Sequence, residues 1–349
     1  MDCCSGTPYD PLATSSPEPV TVGRRGLFRI APALATPFIA GSAHAAGKTI
    51  TIGFCSNFLC APPYLVPIEA DCFKSEGLEA RIVYFRGSAP VVQALAAKGI
   101  DYAACTFEDV LQAANHGVAL TRFLSTANTP LLALAVAPQK SAEITDAKQL
   151  EGKTVGIVSV GGPQEAWTRL LIKQAGGDPA KVRLVALGPN IFDALRLGQV
   201  DVAWVGEPAH SLLKRLGSAT IVDFMETADV TRVFGGRYEF MGLSVLREQA
   251  ADRRDEMIAL ARAINKGLVE VQQRPPMDAI RAMPAAMLAG LDVPLLADIL
   301  EQRRAALYPI TAAIDVAACE RNEATLRSLG LLKPEVTTQS LLDLTIVPA

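Results

Sequence analysis

The chain has 349 residues, half of them apolar, with 33 basic and 36 acidic side chains and a formal net charge of −3. This length exceeds what one hydrophobic core usually supports, and it predicts two lobes. The slightly negative charge, without a basic block, excludes nucleic acid as an expected partner.

The first 45 residues have the order of an export signal. Arg24-Arg25 precedes an apolar run over residues 27–40, and Ala43-His44-Ala45 then forms an A-x-A cleavage site. The run is shorter than the roughly 20 residues of a membrane-spanning helix, and prolines interrupt it. We therefore expect a removable leader over 1–45, a periplasmic protein and no permanent membrane anchor. The paired arginines resemble the twin-arginine export motif, and the general secretory route stays open.

From Lys48 onward, short β-rich runs alternate with helical patterns. The runs KTITIGF (48–54) and LEARIVYF (78–85) predict strands, whereas segments 64–75 and 88–98 predict helices. This alternation is typical of α/β layers with mostly parallel strands.

One β-α-β unit occurs twice. ALAAKGIDYAACTFEDVL from Ala94 and ALRLGQVDVAWVGEPAHSLL from Ala194 run in parallel at a spacing of 100 residues. In each copy a helix ends at a glycine, an acidic residue starts a strand, and a polar pair opens the next helix. Such strand ends are where α/β sheets bind ligands.

Two extended apolar runs predict crossings between the lobes. LLALAVAPQ (131–139) carries the chain into the second lobe and YEFMGLSVL (238–246) carries it back. The predicted first lobe therefore comprises 48–134 and 243–349, and the second comprises 135–242. After Arg247 the pattern is helical, and we expect these helices to pack on the first lobe.

The cysteines and histidines of the mature chain do not form a metal-binding pattern. No C-x-x-C occurs, and His116 and His210 have no neighbouring ligand pair, so we expect neither a metal nor a cofactor. A disulfide of Cys60 with Cys55 or Cys72 is one alternative, and small buried thiols are the other.

Three stretches resemble the periplasmic substrate-binding proteins of ABC importers of the nitrate, sulfonate and taurine type, a group that also contains binders of thiamine pyrimidine precursors. They are FKSEGLEARIVYFRGSAPVVQALAAKGIDYA, ITDAKQLEGKTVGIVSVGGPQEAWTRLLIKQAGGDPAKVRLV and FDALRLGQVDVAWVGEPAHSLL. The resemblance implies the type II periplasmic binding protein fold, in which two α/β lobes joined by a two-segment hinge close on a small-molecule ligand. It also implies a monomer that delivers its ligand to a permease and an ATPase.

The first lobe offers four candidate ligand residues in two turns after strands. Gly87 and Ser88 stand between a strand and a helix, where backbone amides and a hydroxyl can donate to an acidic or carbonyl oxygen. Asn57 and Phe58, after the first strand, offer an amide and an aromatic wall. A plain glycine turn with a helix cap is the alternative for Gly87 and Ser88, and likewise for the glycine loop at Gly161 and Gly162.

The remaining candidates come from the repeat and from one glycine loop; they are Thr106, Glu108, Gly161, Gly162 and Glu207. Family members often carry a serine or threonine in the glycine loop, and its absence here argues against a strongly anionic ligand. A ligand contact of Glu207 favours an amine or a ring N–H, whereas its neighbour Pro208 favours a helix-capping role. For Trp204, stacking on the ligand is one alternative, and its central position in an apolar strand favours the other, which is core packing.

Two other functions compete with solute import. Some proteins of this fold hydrolyse carbon–sulfur bonds with a cysteine, and Cys60 lies in a similar loop. No histidine occurs between Phe85 and Lys98, where those enzymes place theirs, so a thiolate at Cys60 lacks an expected activator. A binding protein that feeds a sensor is the second alternative.

Overall fold

The computed structural model describes residues 47–55 and 58–347. The export signal predicted over 1–45 and the candidate Asn57 lie outside these described residues. None of the helices within them combines the length and the apolar composition that crossing a membrane requires.

The described strands form two five-stranded sheets. The strands are β1 (Lys48–Phe54), β2 (Leu78–Tyr84), β3 (Tyr102–Thr106), β4 (Leu120–Ala127), β5 (Ala133–Val136), β6 (Thr154–Ile157), β7 (Arg183–Ala186), β8 (Val202–Val205), β9 (Thr220–Asp223) and β10 (Met241–Leu246). The first sheet has the order β2-β1-β3-β10-β4, and the second has the order β7-β6-β8-β5-β9. The predicted fold of two α/β layers is thus confirmed.

Each sheet contains one strand that runs against its neighbours. β10 is antiparallel to β3 and β4, and β5 is antiparallel to β8 and β9. Both strands follow a crossing from the other sheet, as the two apolar runs predicted. The parallel strands end at the edge that faces the other sheet, so a strand that enters from that edge must run in the opposite direction. The lobe boundaries themselves remain a prediction.

The helices cover both sheets and form most of the carboxyl-terminal third. They are α1 (Pro62–Glu69), α2 (Cys72–Ser75), α3 (Ser88–Ala96), α4 (Phe107–Asn115), α5 (Pro163–Gln174), α6 (Ile191–Arg196), α7 (Ala209–Arg215), α8 (Thr227–Phe234), α9 (Arg247–Ala250), α10 (Arg254–Gln273), α11 (Pro276–Arg281), α12 (Ala285–Leu288), α13 (Val293–Leu307) and α14 (Val316–Ser328). α10 packs on α1, α2 and β4, so the prediction that these helices return to the first sheet is confirmed for it.

The helix predicted over 64–75 is two helices. Asp71, between α1 and α2, has a left-handed backbone with φ 54°, which a continuous α-helix does not permit. Elsewhere the local signals agree with the structure: Asp292 and Asp315 cap α13 and α14 by accepting from backbone amides of the first turn.

The repeat corresponds to two equivalent corners. Asp101 precedes β3 and its Oδ2 accepts the backbone amide of Thr51 in β1 at 2.8 Å. Asp201 precedes β8 and its Oδ2 accepts the backbone amide of Thr154 in β6 at 2.7 Å. Each aspartate therefore joins the central strand of its sheet to a parallel neighbour. The same sequence pattern fixes the same strand ends in both sheets.

Candidate functional site

A cavity of about 410 Å³, which we call the cleft, lies between the two sheets. It is bordered by loops that follow the carboxyl ends of parallel strands in both sheets, the usual position of ligands in α/β folds. The loop residues are Cys55 after β1, Arg86, Gly87 and Ser88 after β2, Thr106 at the end of β3, Val158 and Ser159 after β6, Gly188, Pro189, Ile191 and Phe192 after β7, and Gly206 and Glu207 after β8.

The structure divides the predicted site residues between two cavities. Five of them border the cleft: Phe58, Gly87, Ser88, Thr106 and Glu207. The other three described candidates border a second cavity of about 200 Å³; they are Glu108, Gly161 and Gly162. The repeat located the strand ends correctly. It did not show that Thr106 and Glu108, two residues apart at the start of α4, face different cavities.

Glu108 is held away from the cleft by two buried donors. Trp167 Nε1 donates to Glu108 Oε1 at 3.1 Å, and the Tyr238 hydroxyl donates to the same oxygen. Burial raises the pKa of the Glu108 carboxyl well above its usual range, which the hydrogen bond from Tyr238 opposes. Glu108, predicted as a ligand residue, therefore borders the second cavity and not the cleft.

Large apolar side chains that were not among the candidates form much of the cleft wall. They are Leu132, Phe192, Trp204, Phe240, Met241, Met287 and Leu291. Phe240 and Met241 belong to the second crossing run, so their position next to the cleft was within reach of the sequence pattern. Met287 of α12 and Leu291, which lies between α12 and α13, come from the carboxyl-terminal region, whose helices were expected to pack on the first lobe.

Trp204 serves both the core and the cleft wall. Its side chain is fully buried, as predicted, and its ring stacks on Phe224 with the centroids 5.3 Å apart. The indole Nε1 donates to Thr168 Oγ1 at 2.9 Å. With this donor satisfied inside the second sheet, Trp204 presents only apolar ring surface to the cleft.

A buried carboxylate orients two hydroxyl groups of the cleft. Thr106 Oγ1 donates to Asp109 Oδ2 at 2.5 Å, and the Ser88 hydroxyl also hydrogen-bonds Asp109. Burial raises the pKa of Asp109, and these hydroxyl donors oppose the rise. Because both protons point to Asp109, the hydroxyl oxygens of Ser88 and Thr106 can accept from a ligand. Thr106 Oγ1 also accepts the Asp109 backbone amide at 3.2 Å, which leaves it one further acceptor position.

Gln164, near the start of α5, adds another acceptor. It borders the cleft, the residue is 6% exposed, and its Oε1 is buried without a hydrogen-bond partner. A buried acceptor without a donor costs about 1–3 kcal/mol. A ligand that offers an N–H or O–H group at this position would remove that cost.

Glu207 borders the cleft but is strongly engaged by the protein. Its Oε2 accepts the Ser211 amide and its Oε1 accepts the Ser211 hydroxyl, both at 3.0 Å, which is a capping contact at the start of α7. Arg303 of α13 lies 3.4 Å from Oε1, and His210 Nδ1 lies 3.7 Å from it. Burial raises the pKa of Glu207, but His210 and Ser211 outweigh burial and hold it below its usual range.

Gly87 is required by close approach of the two sheets. Its φ is 102°, and a Cβ atom at this position would lie 3.0 Å from Ser159 Oγ, in the loop after β6. The loops after β2 and β6 therefore touch across the mouth of the cleft. A side chain at position 87 would separate them.

Cys60 borders the cleft as a buried thiol. Burial raises its pKa well above the usual range, and a hydrogen bond with Cys55 raises it further. Cys60 and Cys72 form no disulfide. No histidine is found among the described residues that border the cleft. Across the described chain, no three His, Cys, Asp or Glu side chains cluster in a way that suits a metal ion.

A family model described as NMT1/THI5 like matches residues 61–277, which is more than half of the chain. The chain belongs to the NMT1/THI5-like family. Among curated protein sequences, none matches it significantly.

Solved structures show which fold this NMT1/THI5-like chain has. A protein of Bordetella bronchiseptica RB50 shares 20% identity over 87% of this chain and 96% of its own, with a TM-score of 0.75. The alkanesulfonate-binding protein SsuA of Xanthomonas axonopodis pv. citri shares 17% identity over 86% of this chain and 99% of its own, with a TM-score of 0.66. The periplasmic nitrate-binding protein NrtA of Synechocystis PCC 6803 shares 12% identity over 86% of this chain and 87% of its own, with a TM-score of 0.67.

The predicted resemblance and the periplasmic binding protein fold are thus confirmed. The same fold also carries catalysis, since the desulfurization enzyme DSZB is 14% identical over 86% of this chain and 97% of its own, with a TM-score of 0.57. At these identities the likeness establishes the fold of this NMT1/THI5-like protein, and the chemistry of the cleft must decide its function.

Proposed function

We propose that this protein is the solute-binding component of an ABC importer, which captures a small organic molecule when its two lobes close. The observation that carries the proposal is the cleft, which strand-end loops of both sheets border and where Gly87 and Ser159 approach each other closely. Two chain crossings provide the hinge for such a motion. The binding proteins SsuA and NrtA of the same fold support this reading.

The polar groups of the cleft favour a nitrogen heterocycle with N–H groups over a sulfonate. Ser88, Thr106 and Gln164 present acceptor oxygens, which would repel a sulfonate oxygen and attract an N–H donor. The one cationic side chain among the described cleft residues is Arg86, which is exposed. Apolar ring surface from Trp204 and Phe240 suits a planar ligand.

A thermal-unfolding screen tests this proposal directly. The protein from residue 46 onward is scanned with pyrimidines, purines, aminosulfonates, alkanesulfonates and nitrate. A ligand at 100 times its Kd stabilises the folded protein by about 2.7 kcal/mol. Stabilisation by N–H heterocycles alone supports the ligand class. Stabilisation by sulfonates or nitrate overturns the ligand class but keeps the binding function, and no stabilisation by any class argues against solute binding.

Binding rather than catalysis is proposed because Cys60 lacks the features of a nucleophile. Its thiol is 2% exposed and its pKa is raised by burial, so little thiolate forms at neutral pH. Incubation with aryl sulfinates, followed by sulfite detection, tests the desulfinase alternative. Sulfite release that is lost in Cys60→Ser would establish the enzyme.

Export to the periplasm belongs to the same proposal. We propose removal of residues 1–45 and delivery of the ligand by a monomer to a permease and an ATPase. Amino-terminal sequencing of the periplasmic protein should begin near Ala46, and an intact Met1 in that fraction would contradict this. Lysine at both Arg24 and Arg25 should block export by the twin-arginine route. If the neighbouring genes encode a permease and an ATPase, a role in import is favoured over a role in sensing.

A further inference from the structure

The second cavity, of about 200 Å³, lies where a helix of the first sheet meets a helix of the second. Glu108, Gln112 and His116 follow one another at intervals of four residues on and just after α4, which places them on one face. The start of α5 faces them, with Pro163, Glu165 and Ala166 at the wall. Apart from Pro163, which borders both cavities, none of these residues borders the cleft.

Glu108 brings an unsatisfied carboxylate oxygen to this cavity. The residue is 2% exposed, and its Oε1 accepts from both Trp167 and Tyr238. Its Oε2 is buried and has no hydrogen-bond partner. A buried carboxylate oxygen in this state requires a donor, and a positively charged donor satisfies it best.

The neighbouring polar groups supply no donor to Glu108 Oε2. Glu165 is already paired with Arg169, at 2.9 Å. His116 Nδ1 lies 2.8 Å from the Gln112 carbonyl oxygen and donates to it. The cavity therefore offers carboxylates from α4 and α5, and no lysine or arginine is found among its described lining residues.

The shape and composition of the cavity select the type of donor. No cluster of three metal-binding side chains occurs in the described residues, so a hard cation would find too few oxygen ligands. Pro163, Ala166, Leu326 and Leu331 supply an apolar side. A cation with N–H groups at one end and a short alkyl chain at the other fits both walls.

We propose that the second cavity is a binding site for a small protonated primary amine, whose ammonium group is held by Glu108 Oε2. Because the walls come from α4 and α5, which belong to different sheets, the amine binds only while these helices adjoin. Its binding therefore favours the arrangement in which the two sheets are close.

Glu108 links this site to pH. Burial raises the pKa of the Glu108 carboxyl well above its usual range, and the negative charge of Asp109 adds to the rise. An ammonium group beside Oε2 favours the ionised carboxylate, so amine binding releases a proton. The apparent affinity for the amine should increase with pH until Glu108 is ionised in the empty protein.

Thermal unfolding with ethylammonium chloride tests the proposal, with sodium chloride at equal ionic strength as reference. The probe should raise the Tm of the wild type saturably, by about 2–4 °C near ten times its Kd. Glu108→Gln, which can still accept from Trp167 and Tyr238, should lose the response. Glu335→Gln, at an exposed carboxylate elsewhere, should keep it. No rise in the wild type between pH 6 and 9, or an equal rise in Glu108→Gln, overturns the proposal.

A second variant keeps the test decisive if Glu108→Gln folds poorly. Gln112→Lys places an ammonium four residues after Glu108, the favourable order for a pair on one helix face. It should raise the Tm in the absence of amine and abolish the response to ethylammonium, whereas an undiminished response overturns the site. Because the assay contains no cleft ligand, its failure leaves the proposed solute binding untouched.

Discussion

Trp167 Nε1, on α5 of the second sheet, donates a hydrogen bond of 3.1 Å to Glu108 Oε1, on α4 of the first. Both side chains are almost completely buried. Tyr238, in the second crossing segment, donates to the same oxygen. One carboxylate oxygen thus joins a helix of each sheet and the second crossing segment.

Trp167→Phe should shift the protein towards an open arrangement, because it removes the indole donor that crosses between the sheets. Small-angle X-ray scattering should show a larger radius of gyration, and unfolding should show a loss of about 1–3 kcal/mol. Trp204→Phe is the matched control, since its indole bond to Thr168 stays within the second sheet. An equal change in the radius of gyration for both variants would argue against an interlobe role of Trp167.

Gly87→Ala should weaken cleft binding by preventing full closure. The new Cβ would lie 3.0 Å from Ser159 Oγ, in addition to the strain of a side chain at φ 102°. Gly77→Ala is the control: its φ is 74° and nothing lies within 4 Å of its Cβ position, so it carries strain without contact. Calorimetry with a ligand from the screen should show at least tenfold weaker binding for Gly87→Ala alone. Equal losses in both variants would exclude the closure mechanism.

The sequence predicted the architecture well because the signals for strands and crossings are local. The runs at 48–54 and 78–85 coincide with β1 and β2 to within one residue, and Asp101 and Asp201 mark equivalent corners of the two sheets. Hydrophobic periodicity and turn chemistry are properties of neighbouring residues, and they survive folding.

The cleft wall could be predicted only in part, because it depends on contacts between distant segments. Nothing near Met287 or Leu291 indicates that the carboxyl-terminal helices reach the cleft, or that Arg303 pairs with Glu207. Likewise, the acceptor character of Ser88 arises from Asp109, a residue of another helix. Glu108 was correctly placed at a helix start, but tertiary packing turned its carboxylate to the second cavity.

Glu239→Gln should flatten the pH dependence of stability. Burial raises the pKa of Glu239 to about 8, against the attraction of Arg122. Between the ordinary value near 4.5 and pH 8, the folded protein holds a proton that the unfolded chain has released, so stability falls as pH rises. As pH rises, the unfolding free energy of the wild type should fall by up to about 1.4 kcal/mol per pH unit relative to that of the variant. Urea unfolding from pH 5 to 8.5 measures this difference. If the unfolding free energies of the wild type and the variant change with pH in the same way, the raised pKa of Glu239 is contradicted.

Glu207→Gln should reduce stability much more than ligand binding. The carboxylate accepts two hydrogen bonds from Ser211 and lies 3.4 Å from Arg303, itself only 15% exposed in its side chain. Glutamine can retain acceptor contacts with Ser211, but it leaves Arg303 with the carboxylates of Asp223 and Glu226 alone, at 3.2 Å each.

We expect a loss of about 1–3 kcal/mol in unfolding free energy. Because the carboxylate is satisfied by protein groups, affinity for a cleft ligand should change less than threefold. Arg303→Lys is the companion variant, since it keeps the charge and loses the planar fork that reaches three carboxylates. Unfolding curves beside calorimetry decide the matter: a tenfold loss of affinity with unchanged stability would assign Glu207 to the ligand instead of to the cap of α7.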